Sequence, residues 1–430
     1  MIMAMIRPET EMKDSGVKYI GLIPRTWKIV QLKYCTDCLD GKRVPIDASL
    51  RKSGIYPYWG AGRIMDYVDD YIFDERLVLL GEDGAPFFDD FRPVSHLIDG
   101  KVWVNNHIHV LRTKDNVVDS YLVHALNSVD YHEYINGSIL NKLTQSNMNR
   151  IKIPLPSYIE QQAIADYLDE TCSKIDEIIA EAKASIDEYK ELKQAVIFDG
   201  ISLGTRKCCD YKRTTLKGIE KIPIEWEYRK LKFLIRYIES GVSVNAGNEP
   251  ATELEYGVLK TSCVSKMIFL PSENKSVNKD EYDRVKCPVC GDTIIVSRMN
   301  TPDLVGACAY IEKNIDNIFL PDRLWQVHFN DNVNVKYIYY CLISPYIRNY
   351  YSSLSTGTSS SMQNISQGQF TNAIIPYPPL EEQKEIVDFL DKRTKEIDSL
   401  IAEKESLIND LEAYKKSLIY EVVTGKRRVV

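Results

Sequence analysis

The 430-residue sequence holds no stretch approaching eighteen consecutive apolar residues, the least a helix needs to cross a bilayer. Residues 1–6 are apolar but run at once into Arg7 and Pro8, too short for the hydrophobic region of a secretory leader. There is no cysteine framework either. Ten cysteines are scattered without repeating spacing, so reduced and mostly buried thiols in a cytoplasmic protein are expected. No Gly-x4-Gly-Lys-Ser/Thr loop occurs; Gly425-Lys426-Arg427 lacks both the loop and the hydroxyl, which argues against a nucleotide motor. An adenine methyltransferase would set a polar residue, two prolines and an aromatic beside a flipped base. Tyr377-Pro378-Pro379-Leu380 meets neither end of that pattern and reads as a hinge opening a helix. Metal signals come only in halves. Cys287-Pro288-Val289-Cys290-Gly291 is one side of a zinc ribbon, which Cys308 and His328 could complete only by accident of folding. His107 and His109 share a strand face with no third ligand nearby, which favours a surface or hydrogen-bonding role. The expectation is a chain with no catalytic residues, metal or cofactor of its own.

Positive charge is also scarce. The formal net charge is −7, which at face value argues against a nucleic-acid partner. Its distribution weakens that objection, because segments 158–198 and 380–422 carry about −6 and about −5, leaving the rest near +4. About +3 of that lies in Lys426, Arg427 and Arg428, so the globular parts are close to neutral.

What the chain does have is an internal repeat. Ile23-Pro24-Arg25-Thr26-Trp27 with Leu32-Lys33 returns as Ile222-Pro223-Ile224-Glu225-Trp226 with Leu231-Lys232, an offset of 199. Ile153-Pro154-Leu155-Pro156, then Glu160-Gln161, Ile164, Asp166, Leu168-Asp169 and Ile175-Asp176, returns from Ile375-Pro376-Tyr377-Pro378 to Ile397-Asp398 at an offset of 222. The second copy therefore carries about 23 more residues, all between its tryptophan and proline motifs. The interior is the variable part.

A long helix follows each proline segment. Leu168, Ile175, Ala182, Tyr189 and Val196 recur every seven residues, with Cys172, Ile179 and Ile186 as a second row. Leu390, Ile397, Leu411 and Leu418, with Ile401 and Ile408, repeat the pattern, and Lys193, Lys404 and Lys415 interrupt it. Glu160 and Glu382 sit where an acid favours a helix start, and Gly200 and Gly425 where a glycine can end one. Helices of roughly forty residues, about 60 Å long, are expected to pair antiparallel as a coiled coil through Leu168, Ile175, Ile179, Ile186, Leu390, Ile397, Ile401 and Ile408. The interiors read as α+β. Apolar runs at Leu77-Val78-Leu79-Leu80, His107-Ile108-His109-Val110-Leu111 and Thr293-Ile294-Ile295-Val296 suggest strands, bounded by turns at Gly60-Ala61-Gly62, Glu82-Asp83-Gly84 and Gly291-Asp292.

These motifs in this duplicated order resemble the specificity subunits of type I restriction-modification systems. The likeness rests on Gly21-Leu22-Ile23-Pro24-x-x-Trp27, Ile222-Pro223-x-x-Trp226 and the two proline segments. It is extended by Tyr56-Pro57-Tyr58-Trp59-Gly60-Ala61-Gly62, Gly81-Glu82-Asp83-Gly84-Ala85 and Gly291-Asp292-Thr293-Ile294-Ile295-Val296-Ser297-Arg298. The first proline segment departs from the second, continuing Pro156-Ser157-Tyr158 where the other has Pro378-Pro379-Leu380. The resemblance implies a first target recognition domain at 1–157, a helix at 158–200, a second domain at 201–379 and a helix at 380–425. It also implies one half of a bipartite double-stranded DNA site read by each domain, and the helices as a ruler. Two methyltransferase subunits bringing S-adenosylmethionine, and ATP-dependent restriction subunits, are the implied partners. A self-contained methyltransferase-nuclease and a purely structural coiled-coil scaffold are the rival readings.

DNA contact calls for Arg or Lys on phosphates and planar Arg, Asn or Gln side chains on base edges, carried by loops. Candidates in the first domain are Lys42, Arg43, Arg51, Lys52, Arg63, Asn141, Lys142 and Gln145. In the second they are Lys260, Arg298, Asn300, Gln363, Gln367 and Gln369, the glutamines following a serine-rich loop at 352–361.

Overall fold

The run Leu77–Gly81 is too short for a stable helix and apolar throughout, which suits a strand covered on both faces. In the computed structural model every residue of it is buried, as is every residue of Thr293–Ser297. The structure describes residues 5–429 except 90, 136–140, 207–209, 217, 355, 360 and 361, with only the backbone of 356–359 and 362. Parts of the apolar start, the serine-rich loop and the pair Cys208 and Cys209 thus lie outside the described residues.

The chain divides into two compact units, residues 1–184 with 404–430, and residues 185–403. In the first, Leu77–Gly81 lies between Ser95–Ile98 and Ile108–Thr113 in an antiparallel sheet edged by Thr36–Cys38. A second sheet orders Ile64–Val68, Ser53–Trp59, Lys101–Val104 and Phe73–Asp74, with Lys101–Val104 parallel to Ser53–Trp59. The second unit repeats both sheets. Thr293–Ser297 lies between Cys308–Ile311 and Leu324–Phe329, edged by Ile235–Ser240. Asn274–Ser276, Gly257–Leu259, Ile315–Phe319 and Pro288–Val289 form its other sheet, again with one parallel pair. A three-stranded sheet of Met299–Asn300, Met362–Asn364 and Thr356–Ser359 is particular to this unit among the described residues.

The repeated motifs are partners of one another. Lys28–Gln31, just after the first tryptophan, pairs with the proline segment Lys152–Leu155, and Glu227–Lys230 pairs likewise with Ile374–Tyr377. Trp27 and Trp226 are buried, and their indole N–H groups donate to Glu160 (3.3 Å) and Glu382 (3.1 Å) in the first turn of each long helix. Gln161 donates to the Pro156 carbonyl (3.1 Å) and accepts from the Val118 amide (2.9 Å). Gln383 does the same with Pro378 (2.9 Å) and the Asn334 amide (3.2 Å). Both carboxamides are buried, so each satisfies backbone groups that water cannot reach. Replacing Gln383 with Leu leaves those groups unpaired and should cost about 1–3 kcal/mol. A thermal melt as stable as the parent's would refute this role for the glutamine.

The long helices span Tyr158–Leu203 and Leu380–Val423, 46 and 44 residues. The first starts on a capping box, with the Ser157 amide donating to Glu160 (3.3 Å) and the Glu160 amide donating to the Ser157 hydroxyl (3.4 Å). Serine thus does at this start what Pro379 does at the other, where a missing N–H leaves no donor to satisfy. Gly200 does not end the first helix. It lies inside it, tight against Leu390, and the chain turns instead at Gly204, with φ +74. Gly425 (φ +73) is the counterpart after the second helix; a side chain there would stand 2.5 Å from Pro24 and 2.9 Å from Trp27. Both turns use the left-handed conformation that glycine adopts without strain.

Each unit takes a stretch of both helices, which pair antiparallel. In the first unit Leu168, Ile175, Ile179 and Ile408 are buried along the seam. In the second, Ile186, Leu390 and Ile397 are buried and Ile401 is half-buried. Two of the three lysines that interrupt the heptads reach across it. Lys415 meets Asp176 at 2.6 Å in the first unit and Lys193 meets Asp398 at 2.7 Å in the second, residues related by the 222-residue offset. The polar breaks therefore match one another and fix the register of the pair, as buried or flanking polar positions do in coiled coils.

The last strand closes the first unit. Met5 pairs with Arg428 and Ile6 with Arg427, and the Arg7 amide donates to the Lys426 carbonyl at 2.8 Å. Lys426 donates to the Ile20 carbonyl (3.0 Å) and Arg427 to Glu421 (2.8 Å), so much of the positive charge of the tail is engaged within the unit. The eight described cysteines are free thiols and six are buried. Burial pushes Cys263, Cys308 and Cys341 up to about 12. Among the described residues no helix is long and apolar enough to cross a membrane.

Candidate nucleic-acid interface

In each unit the fully buried strand delivers the chain to a surface turn, and several of the sequence candidates gather there. In the first unit the turn begins at Gly81, where a side chain would stand 2.2 Å from Ala85 Cβ and 2.9 Å from the Ala61 carbonyl oxygen. Glycine thus lets the loop that carries Arg63 pack against the turn. Asn141 and Lys142 join from the other side, as the Gly84 amide donates to the Asn141 carbonyl and Asp83 bridges Lys142.

Charge at this turn is internally balanced. Arg43 donates to Glu82 at 2.5 Å and to the Ile108 carbonyl at 2.8 Å, and lies 3.4 Å from Asp40. Lys142 lies 3.2 Å from Glu82. His109, buried, bridges Asp40 (2.6 Å) and the Leu143 carbonyl (2.8 Å), while the more exposed His107 meets Asp83. Burial alone would raise the Asp40 and Glu82 carboxyls, but His109 and Arg43 outweigh it and hold both below the usual carboxylate range. Asp40, Glu82 and His109 are close enough together to hold a cation. The Arg43 guanidinium spans the two carboxylates.

The corresponding turn of the second unit begins at Arg298 and is not balanced. The Arg298 amide donates to the Arg323 carbonyl and its carbonyl accepts from the Ile365 amide, both at 3.1 Å. Its guanidinium Nε is shut off from solvent and has no hydrogen-bond partner among the described residues. Asn300 lies directly across from Gln363 in the three-stranded sheet and donates to the Ser297 hydroxyl at 3.4 Å.

The remaining candidates are dispersed. Lys42, Lys52, Arg63, Asn141, Gln145 and Gln367 are exposed. Arg51, 17 % exposed, lies over the Tyr58 ring at 4.3 Å and donates to the Ile46 carbonyl, which ties it to its own domain. Lys260 faces Glu273 at 4.0 Å. Gln369 completes a capping box with Ser366 and donates to the Leu354 carbonyl. Lys101, not among the sequence candidates, sets its ammonium 4.5 Å from the centre of the Tyr71 ring. At the half-ribbon motif, the Cys290 amide donates to Gln326 at 2.9 Å and the Gln326 carboxamide donates to the Pro288 carbonyl at 3.0 Å. Gln326 thus supplies the polar partner for that turn.

Comparison with known proteins agrees with the duplicated architecture. A family model described as the type I restriction modification DNA specificity domain matches residues 24–188 and again 223–410. A putative type I restriction enzyme specificity subunit of Haemophilus influenzae is 25% identical over 372 residues, 85% of this chain and 86% of that protein. The MjaVIII specificity subunit of Methanocaldococcus jannaschii is 25% identical over 425 residues, 93% of this chain and 92% of its own. Among solved structures, a chain from a study of the assembly and conformational transition of a type I R-M system superposes with a TM-score of 0.64. It is 15% identical, and the match covers 94% of this chain and 99% of the other.

Proposed function

The chain belongs to the type I restriction-modification DNA specificity family, and we propose that its two recognition domains each read one half of a bipartite double-stranded DNA target. It has no catalytic site of its own. Adenine-methyltransferase subunits bring S-adenosylmethionine, restriction subunits bring ATP-driven cleavage, and this chain tells them where to act. The observation that carries the reading is the duplicated clamp. Two modules of one topology are each fastened to a long helix by the same tryptophan–glutamate and glutamine–backbone contacts. Two readers held on one pair of rods suit a target in two parts.

The helices also offer a surface for partners. Ile178 and Leu192 on the first, and Leu400, Leu407 and Tyr414 on the second, are exposed apolar residues spaced by multiples of seven along each helix. Such a row is where further helices add to a bundle, and methyltransferase subunits fit that role. The test is co-expression with a partner methyltransferase and mapping of the modified adenines. The reading predicts two short sequences separated by a fixed unread gap. Methyl transfer by the purified chain alone, or an undivided target, would overturn it.

A further inference from the structure

The two units differ in charge at one equivalent position. The residue that follows the fully buried strand is Glu82 in the first unit and Arg298 in the second. Glu82 is met by Arg43 and Lys142, so nothing at that turn awaits a counter-charge. Among the described residues Arg298 has no carboxylate within salt-bridge distance and makes no side-chain hydrogen bond, although its Nε is out of reach of water. A guanidinium with a dry, unpaired donor is a standing cost, because desolvation has taken away its water and folding has returned nothing. Its root is nevertheless held firmly, with amide and carbonyl both bonded to neighbouring segments. Beside it, Asn300 and Gln363 lie opposite one another on paired strands.

We propose that Arg298 is a base-reading residue of the second recognition domain and selects a guanine in its half of the target. The inference rests on the reading of this chain as a DNA-specificity subunit. The planar fork of arginine matches the O6 and N7 acceptors of guanine in the major groove, and it is the one side chain for which such a two-point match is commonest. The Nε stays inside the fold, but the side chain is only half-buried, and a guanine edge offers its terminal nitrogens the acceptors that the described residues do not. The first unit, with its neutralised Glu82 turn, imposes no guanine from the equivalent place.

The experiment uses the full chain co-expressed with its methyltransferase partner, as wild type, Arg298→Gln and Arg298→Lys, with modified adenines mapped in each. Lysine keeps the charge but not the fork, so it rescues a phosphate contact and not a base contact. The expected result is that a guanine fixed in one half of the wild-type target becomes degenerate in both variants, with discrimination falling about tenfold or more. The other half should stay as it was, which also reports that the variants fold. An unchanged target sequence in the lysine variant overturns the proposal. An unchanged sequence with methylation lowered in Arg298→Gln and restored in Arg298→Lys overturns it too, and assigns Arg298 to phosphate. If the wild-type complex yields no two-part target, the failure lies with the functional reading and not with Arg298.

Discussion

Exchanging residues 38–140 for the matching interior of another family member converts one half of the methylated DNA sequence to that member's and leaves the other half intact. This is the largest effect the architecture predicts, a full replacement of specificity on one side with none on the other. It follows from where the contacts to the helix lie. Trp27, Glu160, Gln161 and the strand pair Lys28–Gln31 with Lys152–Leu155 are all outside the exchanged segment. Links that cross the boundary include the Tyr121 hydroxyl on the Pro154 carbonyl at 2.7 Å, the Val118 amide on Gln161 at 2.9 Å, His124 on Asp169 at 2.7 Å and the strand pair Ile108–Thr113 with Thr36–Cys38. A donor interior that keeps the strand pair and these side-chain and backbone groups therefore docks as the original does. Sequencing of modified adenines decides the matter, and a change in both halves, or in neither, contradicts modular reading.

A second large effect concerns the distance between the halves. Inserting four residues between Ile179 and Ile186 together with four between Ile401 and Ile408 should lengthen the unread gap by one base pair. Four helical residues advance the chain by about 6 Å and turn it by about 40°. One base pair advances DNA by about 3.4 Å and turns it by about 35°, so the rotation matches one pair while the length permits one to two. A reader must face its groove, and rotation selects the smaller step. Both insertions are needed because a single one would slip the seam and part Lys193 from Asp398 or Lys415 from Asp176. An active variant with the original gap would show that these helices do not set the spacing.

The order of elements was readable in the sequence because it is written twice. Repeats expose motifs that no propensity argument could find, and heptad spacing survives over forty residues with few competing signals. What each repeated residue does was less accessible. Glu160 and Glu382 read only as helix-start acids, since their indole partners lie 133 and 156 residues away. Lys193 and Lys415 read as flaws in the seam until their aspartates were in place. The surroundings of the binding candidates were the least accessible. Arg43, Arg51 and Gln369 are plausible DNA contacts by residue type, yet each is tied to partners within its own unit, and only folding reveals such ties. The same holds in reverse for Arg298, whose side chain has no hydrogen-bond partner among the described residues, a fact with no trace in the residues beside it.

The strand that joins Met5 and Ile6 to Arg427 and Arg428 sets an order of events during synthesis. Residues 1–184 leave the ribosome first, but their unit also needs 404–430. At about 5–20 residues per second, roughly ten to fifty seconds pass before its last pieces arrive. The second unit, contiguous from 185 to 403, is complete before the first. The amino-terminal half is thus the later to mature. Loss of residues 404–430 would therefore damage the unit that holds residues 1–184 and spare the one at 185–403.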